Sequence, residues 1–222
     1  MPFTIEGFLQ VFTSYNAAIW PFQIAAYGLG LLTIAALFVP SRGSMRLTLA
    51  ALAILWAVTG IGYHLMFFAR INPIAPVFAA FFVLQAILLL ASAIRPADLC
   101  LQLGRGFRSV AGLVTIIYAA AVYPVLGIWA GHGLMAGPMF GVAPCPLTIF
   151  TIGMLLLARG RWVIWLSIIP FLWSLIGLAA AIQLGIPEDL GMPVAGAILA
   201  AVLILETVRN RSARHSTARA AK

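Results

Sequence analysis

Apolar runs of about twenty residues follow one another along almost the whole chain, each long enough to cross a hydrocarbon core as a helix. No other feature restricts the fold so tightly, because backbone in lipid must satisfy its own hydrogen bonds and only helices and closed barrels do so. Composition agrees: 64% of the residues are hydrophobic and 8% charged, where soluble domains have about a quarter charged. The expected fold is all-α, a polytopic membrane helical bundle, with no room for a separate soluble domain.

In chain order, Phe3, Ile5, Phe8, Leu9 and Phe12 recur at helical spacing behind the capping residue Thr4. They indicate a short amphipathic helix lying in the interface over residues 1–16. About seven spans follow: Ala17 to Val39, with Pro21 one turn in; Leu47 to Phe68; Ile74 to Ile94; Val110 to Ala130; Pro146 to Ala158; Trp162 to Leu184, with Pro170 inside; and Leu190 to Thr207. Span five is short, about 13 residues or roughly 20 Å of helix. It starts in Gly141 to Phe150, where Cys145 stands between two prolines that remove backbone donors and crowd the preceding turn. That break marks a site candidate, and equally an ordinary kinked helix start holding a structural thiol. Residues 1–208 are expected to form one transmembrane domain, and 209–222, rich in Arg, Ser and Ala, a disordered basic cytoplasmic tail. The first charge is Glu6, unlike the basic start of a signal peptide, so the first span is expected to be retained.

Charge sets the orientation. If the loops alternate sides, one side holds Arg42, Arg46, Arg95, Arg105, Arg108, Arg159, Arg161 and the tail cations, and the other holds Arg70 alone. The positive-inside rule then gives an N-out, C-in topology. The net charge of +8 is thus a topology signal, and nucleic acid is not an expected partner.

On the outer half this topology gathers Tyr15, Asn16, Trp20, His64, Asn72, His132, Cys145, Glu188 and Asp189, while the inner side offers mostly arginine. Polar groups at membrane depth are costly and face the bundle interior or water, so their clustering points to an outward-facing binding pocket. Each also has a plain structural reading: His64 donating to a helix carbonyl, His132 as an interfacial loop residue, Glu188 and Asp189 as solvated loop acids. His64, His132 and Cys145, with Met135 and Met139 nearby in sequence, are of the types that bind soft or borderline metals, though at no recognised ligand spacing. No cofactor is expected. The chain has no Gly-Lys-Ser/Thr phosphate loop, no His-Glu-x-x-His and no Gly-x-Ser-x-Gly elbow. Its single lysine is Lys222, which excludes a retinal Schiff base in span seven. An enzyme is not the favoured reading.

At a fixed offset of 117 residues, Trp56, Gly60 and Pro76 fall on Trp173, Gly177 and Pro193, and Asn72 falls on Asp189. Together with Pro21 opposite Pro146 this suggests a 3+1+3 parallel repeat, an arrangement that in small transporters puts the site between the units.

Three stretches, Phe3 to Asn16, Tyr63 to Pro73 (Tyr-His-Leu-Met-Phe-Phe-Ala-Arg-Ile-Asn-Pro) and Phe140 to Thr151 (Phe-Gly-Val-Ala-Pro-Cys-Pro-Leu-Thr-Ile-Phe-Thr), resemble a bacterial family of integral membrane proteins catalogued as a domain of unknown function. The resemblance covers most of the chain. It implies a multi-pass protein of the bacterial inner (plasma) membrane and carries no activity or catalytic residue. The leading functional expectation is transport of a small molecule or ion through an outward-facing site near Pro-Cys-Pro. The alternatives are a membrane-embedded metal-binding or redox protein using Cys145 and histidine, and a structural partner subunit. Beyond the lipid bilayer and that unidentified solute the sequence names no partner, and it leaves the oligomeric state open.

Overall fold

The computed structural model describes residues 3–95 and 98–220 and is almost entirely helical. Helix α1 (Ile5–Ala18) starts on Thr4, whose hydroxyl accepts from Gly7 N at 3.2 Å, and α2 (Phe22–Ala36) leaves it at 86°. The corner is at Pro21, whose ring cannot follow the preceding turn. Pro21 therefore ends the first helix and does not lie one turn inside a straight span. The apolar face of α1 packs on protein as well: Phe12 stacks on Tyr63 at 4.6 Å between ring centroids, and Phe8 meets Phe68 edge-on at 5.9 Å.

Helix α3 (Arg42–Val58) runs on into a π-helical segment, Thr59–Phe67, and α4 (Ala75–Ile94) returns beside it. Helix α5 (Phe107–Ile117) likewise passes through a π segment, Tyr118–Val122, into α6 (Tyr123–Trp129). A one-turn helix α7 (Gly133–Ala136) and an irregular stretch lead to α8 (Pro144–Leu157). Then come α9 (Trp162–Leu184), a 3-10 turn at Pro187–Leu190 and α10 (Gly191–Ala220). Helix α10 continues through the stretch that the sequence suggests is an irregular tail; Arg and Ala are good helix formers, so that composition does not oppose continuation.

Among the described residues five helical segments are long and apolar enough to cross a membrane: Arg42–Arg70, Ala75–Ile94, Phe107–Trp129, Trp162–Leu184 and Pro187–Arg209. Counting the bent pair α1–α2 as one span makes six, and α8 is a shorter apolar helix.

The architecture is organised around α8. Every residue of this 14-residue helix is buried except the partly covered Cys145. Its prolines, Pro144 and Pro146, stand in the first turn, where amide hydrogens have no helical partner, so Pro-Cys-Pro begins a regular helix and breaks none. Gly141, at φ +74°, turns the chain into that start through a conformation that a side chain resists. Helix α5 crosses α8 closely at Gly112 and Gly153; a Cβ on Gly153 would lie 2.9 Å from Gly112 O. Trp56 Nε1 donates to Thr151 Oγ1 at 2.9 Å, tying α3 to α8, and Gln85 Nε2 donates to Leu166 O at 2.9 Å, tying α4 to α9. Bonds of this kind are worth about 0.6 kcal/mol each in a membrane. At the arginine-rich end, the loop before α5 is held by an antiparallel pair, β1 (Cys100–Leu101) with β2 (Ala158–Arg159).

Candidate functional site

The 3-10 turn between α9 and α10 presents two consecutive carboxylates, Glu188 and Asp189, at the end of the bundle away from Arg108, Arg159 and Arg161, and both are buried, at 0% and 2% exposure. The reading of them as solvated loop acids is therefore set aside. Pro187 and the left-handed Gly185 at the end of α9 turn the chain inward here, so the acids point at α6 and α8. Tyr123 donates its hydroxyl hydrogen to Asp189 Oδ1, and the Cys145 thiol is within hydrogen-bonding reach of the side chains of Asp189 and Tyr123. His132 Nδ1 lies 2.8 Å from Glu188 Oε1, and Tyr118 donates to Glu188 O at 2.7 Å. Gly127 of α6 makes room for the acid: a Cβ there would sit 3.1 Å from Glu188 Oε1.

Glu188 Oε2 is buried and has no hydrogen-bond partner among the described residues. Glu188 borders a cavity of about 130 Å³, together with Tyr27, Tyr123, Gly127, Gly137 and Met139. That space suits a few waters or a small ion and falls short of the several hundred Å³ of a typical organic-ligand pocket. Among the described residues no arginine bridges either acid; the arginine salt bridges go to Glu206 and Asp98. The site thus sets two carboxylates against two phenols, a thiol and one imidazole.

The other expected site residues divide into three groups. Tyr15 and Asn16 are buried and hold the linker that walls the cavity: Tyr15 donates to Val142 O at 3.0 Å, and Asn16 Nδ2 donates to Met135 O at 2.8 Å and Gly137 O at 3.0 Å. Asn72 makes a local turn, its Oδ1 accepting from Ile74 N at 3.1 Å. Trp20 and His64 stand apart. Trp20 is 61% exposed at the α1–α2 corner, as suits an indole at interface depth.

His64 is fully buried, and its ring contacts are Tyr63, Phe68, Phe78, Phe82 and Trp173. Neither ring nitrogen has a hydrogen-bond partner among the described residues, so it does not donate to a helix carbonyl as its plain reading supposes. The ligand set His64, His132 and Cys145 is not brought together, because the ring stack encloses His64 while His132 turns to Glu188. Among the described residues no group of three or more His, Cys, Asp or Glu side chains is arranged to hold a metal. Met135 contributes its carbonyl to Asn16, and its side chain is 43% exposed.

Sequence reasoning missed Tyr118, Tyr123 and Gln23. The last donates to Asn16 O at 2.7 Å and steadies the α1–α2 corner. The available signal was two tyrosines in one apolar helix, since a buried phenol needs a partner for its hydroxyl.

Residues 5–215 match the family described as "Family of unknown function (DUF6064)". The chain therefore belongs to that family. No curated protein and no solved structure matches it.

Proposed function

We propose that this chain is a seven-span protein of the bacterial inner membrane, N-out and C-in, that binds a small cation or proton at Glu188 and Asp189 from the outside and passes it, alone or with a small solute. The observation that carries this reading is the buried oxygen of Glu188 that has no partner among the described residues, in a residue bordering a small cavity at a helix break where no described arginine pairs with either acid. Burying an ionised carboxylate without a cation costs several kcal/mol, so the arrangement favours taking up positive charge. In this reading α2 and α8 are the first and fifth spans, residues 1–208 form one membrane-embedded body, and the arginines face the cytoplasm. The 3+1+3 repeat pairs α2–α4 with α8–α10. It draws support from Asn72 and Asp189, at the suggested offset, both buried in the turn before a helix, and from Trp56 and Trp173 both packing on Phe82, at 4.3 and 4.9 Å.

The test is flux into liposomes carrying the full chain, followed with proton- and sodium-sensitive dyes. Wild type is expected to conduct or exchange one of these cations, and Glu188→Gln, still monodisperse on gel filtration, to lose the signal. Equal flux in wild type and Glu188→Gln, or no cation dependence in either, overturns the reading.

A further inference from the structure

The larger cavity lies at the opposite end. It encloses about 780 Å³ between the start of α5, β2, the start of α9 and the far part of α10, and Arg108, Arg159, Arg161 and Arg209 line it with one carboxylate, Glu206. That carboxylate is already held between two guanidinium groups, those of Arg108 and Arg159. Arg161 is 78% exposed at its side chain and reaches Asp98 outside the pocket. Four guanidinium groups against two engaged carboxylates, Glu206 in the lining and Asp98 outside it, leave the space net positive. Arginine's planar fork matches phosphate oxygens two at a time, which lysine cannot do.

The remaining wall is apolar, with Val163, Ile164 and Leu203. Trp162 and Trp165 are exposed beside it, at 44% and 60%, as aromatic side chains are at the depth of lipid headgroups. A cationic floor with an apolar wall at that depth suits an amphiphile whose polar part is anionic, and basic pockets between transmembrane helices on the cytoplasmic side bind such heads.

We propose that this pocket binds a phosphate-bearing anion, either the head of an anionic phospholipid entering past Ile164 and Leu203 or free phosphate from the aqueous side. The binding is independent of the carboxylate site at the other end. Arg161 and Arg209 close the phosphate from the rim, while Arg108, whose Nε donates to Leu156 O at 2.6 Å, fixes the floor.

The experiment uses the full chain in phosphatidylcholine nanodiscs. Inorganic phosphate is titrated calorimetrically, and phosphatidylglycerol is added to the discs with thermal unfolding and native mass spectrometry as readouts. The double variant Arg161→Gln/Arg209→Gln changes two exposed side chains and leaves the Arg108–Glu206–Arg159 network intact; Arg209→Gln alone replaces it if the double variant fails to fold. Each arginine removed is expected to weaken binding about fivefold. Arg105→Gln, an exposed arginine outside the pocket, is expected to change nothing.

Phosphatidylglycerol binding that the pocket variant weakens and Arg105→Gln does not identifies the lipid as the source. The same pattern with inorganic phosphate alone identifies the free anion. Failure of both probes to bind wild type, retention of full binding in the pocket variant, or equal loss in Arg105→Gln overturns the proposal.

Discussion

At one end of the bundle a buried arginine, Arg108, spends its donors on Leu155 O, Leu156 O, Ala158 O and the Glu206 carboxylate, and Arg159 grips the same acid. At the other end Glu188 and Asp189 are buried among Tyr123, Cys145 and His132, one Glu188 carboxylate oxygen has no hydrogen-bond partner among the described residues, and Glu188 borders a small cavity. Both ends bury charge, yet the buried Arg108 meets a carboxylate and a set of carbonyls, while the two acids meet phenols, a thiol and one imidazole. A charge fully met by carbonyls and counter-ions holds elements together. A charge met by phenols, a thiol and an imidazole, with one oxygen unpartnered among the described residues, leaves binding capacity over. The difference lies in the partner residues, since the burial of Arg108 at 8% is close to that of the acids.

The sharpest way to break this comparison is to remove one charge from each end. Arg108→Ala would remove the side-chain donors from Leu155 O, Leu156 O and Ala158 O and leave Glu206 with one partner fewer, and breaking such a buried network is expected to cost about 3–5 kcal/mol. Glu188→Gln keeps the shape and a polar contact to His132 and is expected to change stability by less than about 1.5 kcal/mol. Thermal unfolding in detergent measures both. If Glu188→Gln is as damaging as Arg108→Ala, the acid end is structural and the division falls.

Next in size is Tyr123→Phe. It removes the hydroxyl from Asp189 without changing the ring, and the loss of a hydrogen bond to a charged group is expected to cost about 2 kcal/mol. An unchanged melting temperature would mean that water replaces the phenol, and with it that the acid end is wetter than the Asp189 contacts imply.

Much of this layout is legible in the sequence. Hydropathy marks the long apolar helices, so five of them and the shortness of α8 follow from residue order alone, while the bend at Pro21 that splits the first expected span does not. Depth is not azimuth, however. His64 and Cys145 sit on the same half of the bundle, but the faces they turn to follow from the π segment Thr59–Phe67 and from the packing of α4 and α9, which no periodicity of 3.6 encodes. Charge counting also treats arginines alike, and so cannot tell Arg108, buried at the foot of α5, from the exposed Arg105. Tyrosines pass as apolar in a span, which hid Tyr123 until its hydroxyl was seen to meet Asp189.

A smaller effect sharpens the acid end further. Asn16→Ala removes the two donors that hold Met135 O and Gly137 O, and with them the tie between α1 and the cavity wall. At about 0.6 kcal/mol for each bond the expected loss is only about 1 kcal/mol. The same change is expected to loosen the linker over Glu188, seen as faster proteolysis between His132 and Met139. Protection equal to wild type would mean that Tyr15, through Val142 O, holds the linker alone.

The last test changes no stability at all, because the chain carries one cysteine at each end. Cys100 is exposed in β1 beside Arg159, and Cys145 is half-buried in the first turn of α8 beside Asp189. A membrane-impermeant thiol reagent added to intact cells is expected to reach Cys145 slowly, through the cavity side, and to spare Cys100. In inverted vesicles the order should reverse, with Cys100 modified fast because nothing covers its side chain. Cys145→Ser should abolish the signal from cells, and Cys100→Ser the one from vesicles. Labelling of Cys100 from outside would invert the topology and put the arginines where the positive-inside rule does not allow them. If Cys145 reacts only after detergent treatment, the acid end is closed to the outer medium, and binding of a cation there from the outside is overturned.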